Sequence, residues 1–155
     1  MSALPSGDTA ARRRAMGLMA RATVTELARP LAARWPDHRA RDLKPVETGL
    51  VMLRGRMGGD GAPFNLGEAT VTRAVVELPT GERGYGHVLG REPERARAAA
   101  VLDALWQIPA EREAVETEAL RPIEARLAGS HAKRQAETAA TRVDFFTLVR
   151  GEDSA

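Results

Sequence analysis

Residues 47–90, ETGLVMLRGRMGGDGAPFNLGEATVTRAVVELPTGERGYGHVLG, decide the fold. They hold 10 of the 14 glycines and the densest β-forming runs, while the sequence on either side has helical spacing. Gly49 to Met57 reads as a strand in which Val51, Leu53 and Met57 alternate with Met52, Arg54 and Arg56. One of its faces is therefore expected to be core and the other to present two guanidiniums. Glu68 to Leu78 reads as another strand, with Val71 and Val75 on one face and Thr70, Thr72, Ala74 and Val76 on the other. Met57 to Pro63 is the loop between them. Pro79-Thr80-Gly81 has turn chemistry, proline fixing φ and glycine accepting a positive φ, so Gly84 to Gly90 completes a hairpin. Arg41 to Glu47 adds a weaker strand whose Pro45 suits a sheet edge. Four sequential strands with short turns predict an antiparallel meander.

Working outward, Asp8 can cap a helix through about Arg21, and Thr23 to Glu26 has the capping-box form T-x-x-E opening a second helix towards Trp35. Pro30 lies inside that helix and predicts a kink or a later start. After the sheet, Pro93 stands in the first turn of a helix from Glu92 to Gln107, with Ala98, Val101, Leu102, Leu105 and Ile108 as the stripe that should cover the sheet. A further helical run follows Pro109, with Val115, Ala119, Leu120, Ile123 and Leu127 as its seam and Pro122 as a break. Residues 130–141 are helix-prone but hold little except alanine on any face, so they are poorly stabilised alone. The expected class is α+β: one domain, with a helical region over 1–40, the sheet and its covering helix over 41–108, and an extended helical arm with an apolar tail over 109–155.

At 155 residues the chain can bury roughly 70% of its unfolded surface. With two Trp, one Tyr and three Phe, aliphatic side chains and alanine must supply the core. Cysteine is absent, which excludes disulfides, thiolate metal sites and a cysteine nucleophile, and suits a reducing compartment. No run approaches the ~18 apolar residues of a membrane span, and Arg12-Arg13-Arg14 is followed by too short an apolar stretch to be an export signal. A cytoplasmic location is expected. Eight arginines stand against three acids between Met1 and Arg41; such a basic arm is either a solvated helical face or a surface for nucleic acid or an acidic partner.

The best local candidate for chemistry is the loop Gly58-Gly59-Asp60-Gly61. Glycine amides can cradle phosphate oxygens, and Arg54, Arg56 and Arg73 could add charge. The plainer reading is a glycine-rich hairpin connection, since no G-x-G-x-x-G opens a helix and no G-x-x-x-x-G-K-[ST] is present. His38, His87 and His131 lack metal-ligand spacing, so no metal site is expected. Ser130-His131 is not a catalytic pair, because adjacent helical residues do not face each other. The N-terminal region lacks the interleaved aromatics of a single-strand nucleic-acid surface. No catalytic residue is assigned. The closing segment Arg142, Val143, Asp144, Phe145, Phe146, Thr147, Leu148, Val149 and Arg150 places aromatic and aliphatic side chains after a polar helix, which suggests either docking on another subunit or folding back on its own sheet.

ETGLV at 47–51, RMGGDG at 56–61, GEATVTRAVVEL at 67–78, GYGHVLGR at 84–91 and RVDFFTLVRG at 142–151 resemble, in order and spacing, the PhnG family, a core subunit of the bacterial carbon–phosphorus lyase system. The first 46 residues match only loosely. The resemblance implies phosphonate breakdown in a complex containing two copies each of PhnG-, PhnH-, PhnI- and PhnJ-type subunits. With the H and I subunits and an ATP-binding PhnL-type subunit, it implies transfer of the ribose triphosphate of ATP onto methylphosphonate with displacement of adenine. ATP is then a substrate of the complex, with no cofactor held by this chain alone. The resemblance transfers no catalytic residue. It implies an accessory transferase subunit, for which the closing segment offers Arg142, Val143, Asp144, Phe145, Phe146, Leu148 and Arg150 as a candidate interface. The competing reading is a stand-alone nucleotide- or RNA-binding module using the basic arm and the glycine loop.

Overall fold

The computed structural model describes residues 6–140. The chain divides into two compact units, one ending at Glu124 and the other beginning at Ala125. In the first unit, helix α1 (Ser6–Met19) and helix α2 (Val24–Arg34) precede strands β1 (Arg41–Asp42), β2 (Glu47–Arg56), β3 (Pro63–Glu77) and β4 (Arg83–Leu89). Helix α3 (Pro93–Gln107), the short α4 (Pro109–Ala114) and a π-helical segment (Val115–Leu120) follow, and α5 (Arg121–Ala140) starts in this unit.

The sheet is antiparallel throughout, as expected, with β3 as its central strand. The pairing refines the meander. Val71–Arg73 has β4 on one edge and β2 on the other, while Val76 and Glu77 pair both β4 and β1. So β1 and β2 lie end to end along the same edge of β3 and do not pair with each other. The expected first strand is cut to two residues because Pro45, lacking an N–H, falls in the gap. Glu77 joins the far ends of the sheet by accepting from Arg83 (3.0 Å) and Arg41, and both hydrogen bonds hold its carboxyl below the usual range.

The inward face carries Thr72, Ala74 and Val76 of β3, Leu78 just after it and Val88 of β4, all buried. Alternate residues there are Gly84 and Gly86, and the reason is a close approach to α3. A Cβ on Gly84 would stand 1.8 Å from the Ala100 carbonyl oxygen, and one on Gly86 would stand 1.9 Å from that of Ala96. Small residues at Ala96, Ala100 and Ala104 complete the contact from the helix side. Thr72 ties the helix start to the sheet: its hydroxyl donates to the Gly90 carbonyl (2.6 Å) and accepts from the Glu92 N–H (3.0 Å).

Helix α3 does more than cover the sheet. Every residue from Ala99 to Trp106 is buried, so it is the middle layer, with α1, α2 and the segment after Pro109 packed around it. Such all-round burial needs an apolar circumference, and the one acid between Ala99 and Trp106, Asp103, is fully paired. Asp103, 0% exposed, accepts from Arg12 Nε (3.0 Å) and Nη2 (2.7 Å) and from the Tyr85 backbone N–H (2.9 Å). This fork raises the Arg12 pKa. The Thr23–Glu26 capping box forms as expected, and Pro30 is buried inside a continuous α2. Asp8 differs from expectation: it lies in the first turn and binds Arg112 (2.8 Å).

Residues 109–124 were expected to begin the arm, yet Val115, Ala119, Leu120 and Ile123 are buried in the first unit. The π-helical segment brings Glu116 to the Trp106 indole N–H (2.8 Å) and Arg14 (3.1 Å), and Glu118 to Arg34 (3.3 Å). The second unit begins at Ala125, and its described helical residues up to Ala139 are exposed apart from half-buried Leu127.

Candidate functional site

The β2–β3 hairpin outgrows the core it starts from. β4 pairs β3 only from Val71, so the stretch formed by Leu50–Arg56 and Pro63–Glu68 is a two-stranded ribbon without a covering layer among the described residues. At ~3.3 Å per residue it reaches about 20 Å. Neither face is core. Cross-strand pairing puts Val51, Leu53 and Phe64 on one side and Leu50 and Met52 on the other. Their exposures are 36%, 41% and 43% on the first side and 61% and 53% on the second, with Leu66 at 65% and Met57 at the tip at 72%. The expectation that Val51, Leu53 and Met57 would form a core face is therefore corrected. The missed signal was the run Leu50-Val51-Met52-Leu53, which is apolar at both parities and so asks for cover on both sides.

Arg54 and Arg56 share one face of the ribbon, and Arg56 donates to the Gly61 carbonyl (3.1 Å). Gly58 (φ 65°) and Gly59 (φ 95°) make the left-handed turn, which Gly61 closes by donating to the Met57 carbonyl (2.8 Å). A Cβ at Gly61 would meet that carbonyl oxygen at 2.4 Å. Turn geometry thus accounts for all three glycines. Arg73 is elsewhere. It pairs with Glu47 and His87 on the open face of the sheet, whereas Arg54 and Arg56 sit opposite Asn65 and Pro63. Eight to ten strand residues separate them, about 25–30 Å. The structure does not gather Arg54, Arg56, Gly58, Gly59, Gly61 and Arg73 around one phosphate. Arg142, Val143, Asp144, Phe145, Phe146, Leu148 and Arg150 lie outside the described residues.

Four of the eight arginines of the basic N-terminal region are ion-paired. Arg12 is held by Asp103, Arg14 by Glu116 and Glu124, Arg34 by Glu111 and Glu118, and Arg41 by Glu77. The pairs of Arg12, Arg14 and Arg34 fasten α1 and α2 to the rest of the unit. Among the described residues no three His, Asp or Glu side chains stand together as metal ligands. Ser130 donates to the Arg126 carbonyl (3.0 Å), which occupies its hydroxyl within the helix. A groove of about 330 Å³ between α2 and α3 is lined by Leu31, Trp35, His38, Arg97 and Val101. Burial, and secondarily the Arg97 charge, lowers the His38 pKa; its Nδ1 accepts from the Ala40 N–H (3.0 Å). A second groove, about 480 Å³, runs along Thr9, Arg12, Arg13, Met16 and Tyr85. None of the described helices is long and apolar enough to cross a membrane.

What stands out among the described residues is the large apolar ribbon. Residues 10–151 match the family model described as "Phosphonate metabolism protein PhnG". A relative from Rhizobium meliloti (strain 1021), named alpha-D-ribose 1-methylphosphonate 5-triphosphate synthase subunit PhnG, is 50% identical over 156 residues covering 99% of each chain. The chain belongs to the PhnG family of phosphonate metabolism proteins.

Proposed function

We propose that this chain is an accessory subunit of an alpha-D-ribose 1-methylphosphonate 5-triphosphate synthase in phosphonate catabolism. The observation that carries the reading is the 50% identity to a subunit of that name across 99% of both chains. In this reading the complex breaks the bond between adenine and the ribose of ATP, joins the ribose carbon to a phosphonate oxygen, and releases adenine. ATP and methylphosphonate are substrates of the assembly. This chain contributes surfaces that hold the assembly together, working with PhnH-, PhnI- and PhnL-type subunits and joining a PhnJ-type subunit in a cytoplasmic core complex with two copies of each. Phe145, Phe146 and Leu148 add a contact to the PhnI-type subunit.

The exposed apolar ribbon supports an assembling role, and ion pairs take up Arg12, Arg14 and Arg34 of the basic region that a stand-alone nucleic-acid module would use. The test is adenine release from ATP and methylphosphonate by purified companion subunits with and without this chain. Release should depend on the chain. An equal rate in its absence refutes the reading.

A further inference from the structure

We infer that the β2–β3 ribbon is an insertion arm, enclosed on both faces by a cleft in a different protein subunit. The cleft would have apolar walls and carboxylates placed to meet Arg54 and Arg56. The inference rests on the proposed subunit role and adds where the chain is gripped and by what chemistry.

Its first support is area. Leu50, Val51, Met52, Leu53, Met57, Phe64 and Leu66 are seven of the ten large apolar side chains left exposed among the described residues. Together they present on the order of 700 Å², divided between two faces and the tip, close to one partner's share of a standard interface.

The second support is that the surface has two sides and two open edges. The outer edge of β2 runs from Glu47 to Arg56 without a proline, and the register shift between Leu53 and Arg54 leaves Leu66 as the extra residue on β3. The edge of β3 from Pro63 to Ala69 is also unpaired among the described residues. Natural sheets rarely leave a long apolar edge unprotected. A second copy does not meet the need. Antiparallel pairing of two β2 edges about a two-fold axis must match residues of equal parity, because paired residues share a face and aim their backbone groups the same way. That arrangement widens the sheet but leaves both faces in water, and a face-to-face dimer covers only one. Even fully extended, the 15 residues 141–155 span about 50 Å, enough for about two passes along the ribbon and not for two faces and two edges. Enclosure by another subunit covers everything.

The third support is charge. Arg54 and Arg56 meet no carboxylate among the described residues; the acids of the ribbon are Asp60 at the tip and Glu68, which lies opposite Met52 on their face without reaching either guanidinium. A cleft that takes up the tip must neutralise two guanidiniums, which carboxylates do through paired N–H···O bonds.

The test uses the full chain with the companion synthase subunits, comparing wild type with Met52→Glu on one face, Leu53→Glu on the other, and Arg54→Glu/Arg56→Glu. All four side chains lie outside the core, so circular dichroism and melting of the isolated variants should match wild type. Each single-face variant should weaken association at least 10-fold, as should the arginine pair, and backbone amides of Leu50–Arg56 should gain hydrogen-exchange protection in the complex. Wild-type binding by both face variants overturns the arm. Sensitivity at one face alone replaces enclosure with a one-sided contact. Protection of these amides in the isolated chain, lost at low concentration, would identify a second copy; if lost on deleting residues 142–155, it would identify the chain's own tail. Failure of the wild-type chain itself to bind any companion refutes the subunit role on which the inference rests.

Discussion

Asp103→Ala removes the only acid in the all-buried turns of α3 and leaves the Arg12 guanidinium without its bidentate acceptor. Breaking a buried ion pair costs about 3–5 kcal/mol because the surviving charge is stranded. Arg12 keeps 19% exposure and can swing towards water, which places Asp103→Ala near the lower end, about 3 kcal/mol. For a chain of this size that corresponds to a fall of about 6–12 °C in melting temperature. The reverse truncation should be worse. Arg12→Ala strands a carboxylate that is 0% exposed and has only the Tyr85 N–H left, so about 4 kcal/mol is expected. The double variant should cost far less than the sum, since with both partners gone neither charge is stranded. Urea denaturation of the four proteins at neutral pH measures all three differences and their coupling. A loss under about 0.5 kcal/mol for either single variant, or strict additivity, would refute the claim that this pair locks α1 to α3 and β4.

Gly86→Ala should destabilise by at least about 3 kcal/mol or prevent folding, because the clash is with backbone atoms of α3, whereas Gly17→Ala, with open space around the new methyl and a helical backbone, should stabilise by about 0.4–1 kcal/mol. Thermal melts of the two variants give opposite signs if the glycine-mediated approach of β4 to α3 is real. The lowered His38 pKa means the unfolded chain binds more protons below its ordinary pKa of about 6.5. The contribution of neutral His38 is therefore fully present above that pH and declines as pH falls through the window beneath it. Stability measured from pH 7.5 to 5 should show this slope in wild type and a reduced one in His38→Asn; identical slopes would assign the effect to other groups.

The sequence was legible where local chemistry and tertiary demand coincide. The T-x-x-E box, the Pro79-Thr80-Gly81 turn and the antiparallel strand pair around it depend on neighbours in the chain, and each formed as read. The division of β1 from β2 depended on Pro45 interrupting a pairing whose partner lies 30 residues away, so only an edge position could be anticipated. Asp103 was hidden among the charged residues of an amphipathic pattern, and nothing in spacing says that Arg12 will reach it across 91 residues. Alternation in β2 suggested a core face because strand periodicity assumes that the chain supplies its own cover. The run at 50–53 carried the contrary message, that both faces expect a neighbour. Arg73 was grouped with Arg54 and Arg56 by proximity in sequence, but a hairpin 15 residues long on one side carries such neighbours far apart.

The most direct measurement of the subunit role is size-exclusion chromatography with light scattering on this chain co-expressed with the PhnI-type subunit. A stoichiometric complex at a mass containing both chains is the predicted result. A 16.7 kDa monomer that elutes apart from a folded partner would contradict the account.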